Sequence, residues 1–249
     1  MAKKKLGQHF LIDKNIAARE IKYASLQKDD IVLEIGPGKG ILTKLLSEKA
    51  KQVIALEIDD KLVKRLRSWI PDNVQLIQGD ALKIDFDKLP RFNKIVSNLP
   101  FQISSPITFK FFNYGFSKAI LIYQKDFAKR MVALPGVKDY SRLSVAVYFK
   151  SYCRLLETVP KTCFSPQPKI DSCIVELISR EKPPFSVADE KFFFEVVKKL
   201  FNYRRKKIRN ILKETYNINV TDLPYIDMRV EEITPKQIAE LSNSLFNIV

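Results

Sequence analysis

Apolar residues along this chain gather into short, nearly unbroken runs, separated by stretches that repeat every three to four residues as a helix face does. IVLEI (31–35) passes through glycines into a helical pattern over 41–49. QVIALE (52–57) leads into DKLVKRLRSW (60–69), and VQLIQ (74–78) and NKIVS (93–97) repeat the strand signature. The pattern then predicts a helix at PITFKFF (106–112), a strand at KAILIYQ (118–124) and a mainly helical segment over 142–153. Two closing strands, RLLETV (154–159) and SCIVELI (172–178), flank a proline-rich loop. Strands that are apolar on both faces belong in a sheet covered on both sides, and their alternation with helices makes it mostly parallel. The fold class is therefore α/β. The paired prolines of SREKPPFS (179–186) stop helix and strand alike, which sets a boundary between a larger domain, 1–181, and a smaller one, 182–249. The smaller one is helical in pattern, with Phe193, Val196, Val197, Leu200 and Phe201 on one face. Phe109, Phe111 and Phe112 read as core.

A chain of 249 residues buries roughly 70% or more of its unfolded surface and needs neither disulfide nor metal to hold it. Cys153, Cys163 and Cys173 form no CxxC pair, which suits a reducing compartment and argues against a zinc site. The basic start, MAKKKLGQHFLIDKN, is broken by Asp13 and Lys14 before the core of a leader peptide develops. No apolar run approaches the ~20 residues of a membrane span. A soluble cytoplasmic protein is expected and, since no second apolar face stands out, a monomer. Charge narrows the partner: 43 Lys+Arg against 28 Asp+Glu give +15. Nucleic acid fits that excess ahead of a membrane, because no basic amphipathic helix stands alone. Of the excess, +12 falls on 1–181 and +3 on 182–249.

The first chemical motif follows the first of these strands. In LEIGPGKGIL (33–42), Gly36, Gly38 and Gly40 let the backbone turn sharply and approach a ligand, and the next helix offers free N–H groups to an anion. The spacing is GxGxG preceded by Glu34, not the GxGxxG of dinucleotide folds. It is the usual look of S-adenosylmethionine sites, which bind a methionine carboxylate and need no diphosphate cradle. Glu57 closes the second strand, 21 residues beyond Gly36, placed to accept from both ribose hydroxyls. Asp80 in QGDAL closes the third, placed to accept from an adenine amino group, with Ile58 and Ala81 flanking the ring. Ligands of open α/β sheets bind beyond the carboxyl ends of the strands, where these elements converge.

NLPF (98–101) ends the fourth strand at the same edge. An exocyclic amine of a base attacks a methyl donor only when its lone pair is drawn out of the ring. The side-chain oxygen of Asn98 and the carbonyl of Leu99 can accept the two N–H hydrogens, and Pro100, with its fixed φ, helps hold that carbonyl in place. Phe101 can stack on the base, its ring face favouring the positive charge that develops on nitrogen. A methylated aminium is acidic enough to need no strong base. Catalysis is then mostly positioning, to which orientation can contribute on the order of 7–11 kcal/mol, plus local electrostatics.

Together GQHFL (7–11), EIGPGKG (34–40), Glu57, GDAL (79–82), NLPF and VPKTCFSPQPKIDS (159–172) resemble the rRNA adenine N6-dimethyltransferase family, in the branch acting on small-subunit rRNA. The likeness runs in order from residue 7 to residue 212. It implies a Rossmann-like, class I S-adenosylmethionine-dependent methyltransferase sheet with a small C-terminal all-helical domain. It also implies dimethylation at N6 of two adjacent adenines near the 3′ end of small-subunit rRNA, with the immature small ribosomal subunit as partner. By the same resemblance Gln8, His9 and Leu11 lie beside the methionine moiety and Gly36 and Gly38 against the cofactor. Asn98 borders both cofactor and target amine, and Phe164 stacks on the flipped adenine opposite Phe101. The family usually has tyrosine where this chain has Phe101, which keeps the stacking and loses a hydroxyl.

NYRRKKIRNIL (202–212) carries Arg204, Arg205, Lys206 and Lys207, read as phosphate contacts or else as a solvated helix face. Lys3, Lys4 and Lys5 read equally as a tail or an RNA-contacting arm. His9 is not assigned as a base. Two rivals use the same residues. A DNA N6-adenine methyltransferase usually carries DPPY and lacks the FxPxP loop, and a non-catalytic binding protein has no need of intact Gly36, Glu57, Asp80 and Asn98.

Overall fold

A computed structural model of the chain describes residues 8–216 and 222–248; Lys3, Lys4, Lys5 and Gly7 lie outside the described residues. A two-residue strand, β1 (Phe10–Leu11), precedes helix α1 (Lys14–Ala24). Then come β2 (Ile31–Ile35), α2 (Ile41–Ser47), β3 (Gln52–Glu57), α3 (Asp60–Arg67), β4 (Val74–Gln78) and β5 (Lys94–Asn98). The chain continues with α4 (Ser104–Phe111), β6 (Lys118–Gln124), α5 (Lys125–Met131), α6 (Arg142–Lys150) and β7 (Ser151–Val159). It closes with β8 (Phe164–Ser165), β9 (Ser172–Ser179), α7 (Glu190–Asn202), α8 (Ile208–Tyr216) and α9 (Pro235–Phe246).

The main sheet has seven strands in the order β4-β3-β2-β5-β6-β9-β7. β4, β3, β2, β5 and β6 are parallel, and β9 runs antiparallel to β6. The unbroken apolar runs explain this: Val32, Leu33, Val53, Ile54, Ala55, Ile95 and Ala119 through Tyr123 are all essentially inaccessible, as strands covered on both faces must be. The segment expected to be helical over 142–153 is divided. α6 stops at Lys150, where Ser151 takes an extended backbone, and β7 begins. The turn at residues 203–206 likewise separates α7 from α8, so the basic run is a connection rather than one continuous helix.

The chain groups into two compact units. Residues up to Ala128 with Cys153–Ser179 form one, and Lys129–Tyr152 with Arg180 onward form the other. A single cut after residue 181 therefore misses the segment containing α6. That helix buries Leu143, Val145, Ala146, Val147 and Phe149, too wide an apolar surface for one face, and Val145 and Phe149 belong to a core with Phe193, Val196, Leu200, Ile211 and Leu241. The regrouping changes the charge picture: the helical unit carries 18 basic and 11 acidic residues, the sheet unit 25 and 17. The basic excess is shared almost equally, although the helical unit is the smaller.

Candidate active site

β2 and β5 are neighbours at the point where the strand order reverses, the position at which open α/β sheets leave a crevice. Their ladder is short, pairing Val32 with Lys94 and Leu33 with Ile95. Beyond it the Ser97 hydroxyl takes over, donating to the Ile35 carbonyl at 2.6 Å and accepting from the Ile35 N–H at 3.3 Å. A side chain thus holds the two strand ends together where the backbones diverge. The cavity above them has a volume of about 320 Å³ and is lined by residues 8–11, 34–39, Leu56 to Ile58, Gly79 to Ala81 and 98–103, together with Ile41 and Leu42. That size is at the lower end for small-molecule sites.

Gly36 and Gly38 shape one wall. Both have positive φ, +70° and +59°, and a Cβ on Gly38 would stand 2.9 Å from the Phe10 ring, one on Gly36 3.1 Å from Pro100. Gly40 serves packing instead, its missing side chain replaced by Trp69 and Leu66. Against the glycine turn lies Glu57, only 3% exposed. One of its oxygens accepts from Gly38 N–H at 3.1 Å and the other from Ile58 and Asp59 N–H, both at 2.9 Å. Burial pushes its pKa up while these backbone donors oppose the rise. Three backbone bonds fix the orientation of the carboxylate and leave acceptor capacity on it. Buried Glu34, beneath the cavity, is pushed up to about 8, chiefly by burial and further by Glu57.

Asp80 is fixed by accepting from Leu82 N–H at 2.9 Å. Its loop is held by a residue the sequence did not single out. Lys110 on α4 donates to the carbonyls of Ala81 (2.9 Å), Leu82 (3.2 Å) and Ile84, and its ammonium sits 4.2 Å from the Phe86 ring centroid. Nothing in the apolar context TFKFF marks Lys110, because the partners are backbone atoms 26 to 29 residues away.

At the end of β5, Leu99 is buried and Asn98 half-buried. The Asn98 Oδ1 atom is inaccessible and has no hydrogen-bond partner among the described residues. Over this corner lies the N-terminal segment. β1 pairs antiparallel with β8, Phe10 opposite Ser165 and Leu11 opposite Phe164, and Ile12 N–H donates to the Cys163 carbonyl at 2.8 Å. His9 stacks on Phe101 with centroids 5.7 Å apart, its Nδ1 2.6 Å from the Pro166 carbonyl. The two stretches of the motif set are thereby joined as one wall, with Gln8, His9 and Leu11 on the cavity. Phe164 lies beneath this wall. It is 2% exposed and meets Phe101 edge-on, 6.1 Å between centroids at 65°. As a core residue packed with Leu11 and Ile16, it offers no parallel face opposite Phe101 in this conformation.

The basic run belongs to the helical unit, and most of its charges are engaged there. Arg204 pairs with Glu231 at 2.8 Å and donates to the Lys138 carbonyl at 2.6 Å. Lys206 pairs with Glu214 at 2.9 Å and Lys207 with Asp227 at 3.8 Å. Arg205 is exposed. Arg204 thus braces the turn through an ion pair backed by carbonyl bonds.

The residues present fit S-adenosylmethionine. A Cβ-free wall at Gly36 and Gly38, a positioned Glu57 and Asp80 at successive strand ends, and an unused acceptor at Asn98 surround one cavity. The comparisons agree. A model of "Ribosomal RNA adenine dimethylase" matches residues 1–247. A "Probable ribosomal RNA small subunit methyltransferase A" of Thermococcus onnurineus (strain NA1) is 45% identical over 95% of this chain and 89% of its own, and one of Methanosarcina acetivorans is 45% identical over 97% and 93%. Among solved structures, a dimethyladenosine transferase from Plasmodium falciparum superposes with a TM-score of 0.80 at 28% identity, covering 96% of this chain and 98% of that one. The 23S rRNA methyltransferase ErmE gives 0.68 at 26%, covering 95% and 99%. With the family's motifs gathered around one crevice and its match running nearly the full length, the chain belongs to the ribosomal RNA adenine dimethylases, S-adenosylmethionine-dependent methyltransferases.

Proposed function

We propose that this chain dimethylates N6 of two adjacent adenines near the 3′ end of small-subunit rRNA, acting on the immature small ribosomal subunit. The observation that carries the reading is Asn98 Oδ1, an acceptor buried at the crevice with no partner among the described residues. A buried, unpaired acceptor costs about 1–3 kcal/mol, and an incoming N–H donor removes that cost. The names of the relatives point to the small subunit, and the basic excess suits RNA.

When bound, S-adenosylmethionine supplies an electrophilic methyl carried on a sulfonium. Residues of this chain would hold it at the Gly36 to Gly38 turn, Glu57, Asp80, and the wall of Gln8, His9 and Leu11. Asn98 Oδ1 and the Leu99 carbonyl accept the N6 hydrogens and localise the lone pair on nitrogen. Phe101 stacks on the base and faces the nascent positive charge. The surplus proton rests in the Asn98 hydrogen bond until water takes it, so no side-chain base is required. A base entering against Phe101 displaces His9 or turns Phe164, since both rings contact Phe101 here. The test is tritium transfer from labelled cofactor to immature small subunits, beside DNA and large-subunit RNA. Label in the small subunit is expected, and label only in DNA or large-subunit RNA refutes the reading.

A further inference from the structure

The loop joining α5 to α6 projects apolar side chains into water from a backbone tied down at Gly136, Val137 and Lys138. Leu134 is 72% exposed and Val137 48%. The loop nevertheless starts from buried Met131 and ends at buried Tyr140, whose hydroxyl donates to the Ile233 carbonyl at 3.0 Å. Between them Gly136 N–H donates to the Glu231 carbonyl at 2.7 Å. Arg204 donates to the carbonyls of Lys138 (2.6 Å) and Val137 (3.4 Å) while paired with Glu231.

An exposed leucine on a loose loop needs no explanation. Here a guanidinium, its counter-ion and the main chain fix the backbone, so the ordering cost of binding is met before any contact forms. The surroundings are cationic: Lys129, Lys138 and Arg205 are exposed, and residues 129–142 hold four basic residues against Asp139 alone. A membrane would call for an amphipathic helix, and a protein partner for a broader apolar patch. A small apolar tip, Leu134 with Val132 and Val137, set among cations instead complements a base face flanked by phosphates, as where leucine and proline wedges part base steps.

We propose that this loop is a second RNA contact, in which Leu134 packs against an unstacked base or a helix-closing base pair while Lys129, Lys138 and Arg205 meet adjacent phosphates. The inference rests on the rRNA reading above. Its test places a photo-crosslinker in the full chain, Leu134→p-benzoylphenylalanine, and irradiates it with immature small subunits, expecting an adduct to RNA. In parallel, Leu134→Ser is expected to weaken particle binding about tenfold, the effect of leaving one leucine unburied, with an unchanged salt slope. Arg205→Gln is expected to reduce that slope by about one. Cofactor affinity of Leu134→Ser, read by calorimetry, should equal wild type, which separates a lost contact from a misfolded chain. An adduct to a ribosomal protein or to a second copy of the chain overturns the proposal, as does wild-type particle affinity in Leu134→Ser. Methyl transfer by the wild-type chain, measured alongside, reports separately on the substrate reading.

Discussion

Replacing Asn98 by alanine should separate stability from chemistry. Asn98 Oδ1 is buried and has no partner among the described residues, so its removal returns about 1–3 kcal/mol of desolvation cost. Against this stands a small loss of packing, because the side chain is only half-buried at the rim of an open crevice. The expected net effect on the free enzyme runs from zero to a stabilisation of about 2 kcal/mol. In a chain of this size each kcal/mol moves Tm by about 2–4 °C, so the melting temperature of Asn98→Ala should equal or exceed that of wild type. Transfer, by contrast, should be abolished, because the proposed function makes this oxygen one of the two acceptors of the N6 hydrogens. Cofactor binding, which has Glu57 and Asp80 as well, should stay measurable. The assay pairs thermal melts with and without cofactor and tritium transfer to small subunits. A fall in Tm of more than about 3 °C in the free enzyme would mean that this oxygen has a stabilising partner, and near-normal turnover would remove its catalytic assignment.

Further predictions follow from the ties around the cavity. Lys110→Met should weaken cofactor binding while leaving kcat at saturating cofactor near wild type, and should cost about 1–3 kcal/mol of stability for the lost charged hydrogen bonds; unchanged cofactor affinity would show that the Asp80 loop holds its shape alone. Gly38→Ala should weaken cofactor binding and lower Tm, since positive φ costs a side-chain-bearing residue about 1–2 kcal/mol and its Cβ would press on Phe10; a wild-type melt would refute it. Burial raises the Glu34 pKa from 4.5 to about 8, so the native state holds a proton that the unfolded chain has released. Its contribution is complete below 4.5 and is lost as pH rises through 8. Urea midpoints of Glu34→Gln should accordingly fall less than those of wild type across that window, and parallel profiles would refute this. Some slope should persist, because burial also raises Glu20.

Much of the site could be read along the chain because each of its parts is local. A glycine turn, an acid at a strand end and the Asn-Leu-Pro-Phe corner are consecutive or nearly so, and a parallel sheet brings every strand's carboxyl end to one edge whatever the connections do. Glu57, Asp80 and Asn98 accordingly fall on the cavity. Lys110 and Ser97 could not be read that way. Their partners are carbonyls and N–H groups of distant segments, which carry no residue-type signal. The pairing of Arg204 was illegible for a related reason: clustered cations announce an excess of charge, but which of them meets Glu231 depends on how a turn packs.

The amino-acid order by itself determined the alternation of apolar strands and helices, and with it the α/β class, the crevice edge and the chemistry available there. Those properties follow from periodicity and from side-chain functional groups, which short windows contain. The tertiary structure alone decided that α6 joins the helical core, that β1 fastens onto β8 and covers the Asn98 corner, that Phe164 is buried edge-on, and that Leu134 is held out in water. Each of these depends on contacts between segments far apart in sequence, whose free energy is settled by burial and geometry that no local pattern encodes.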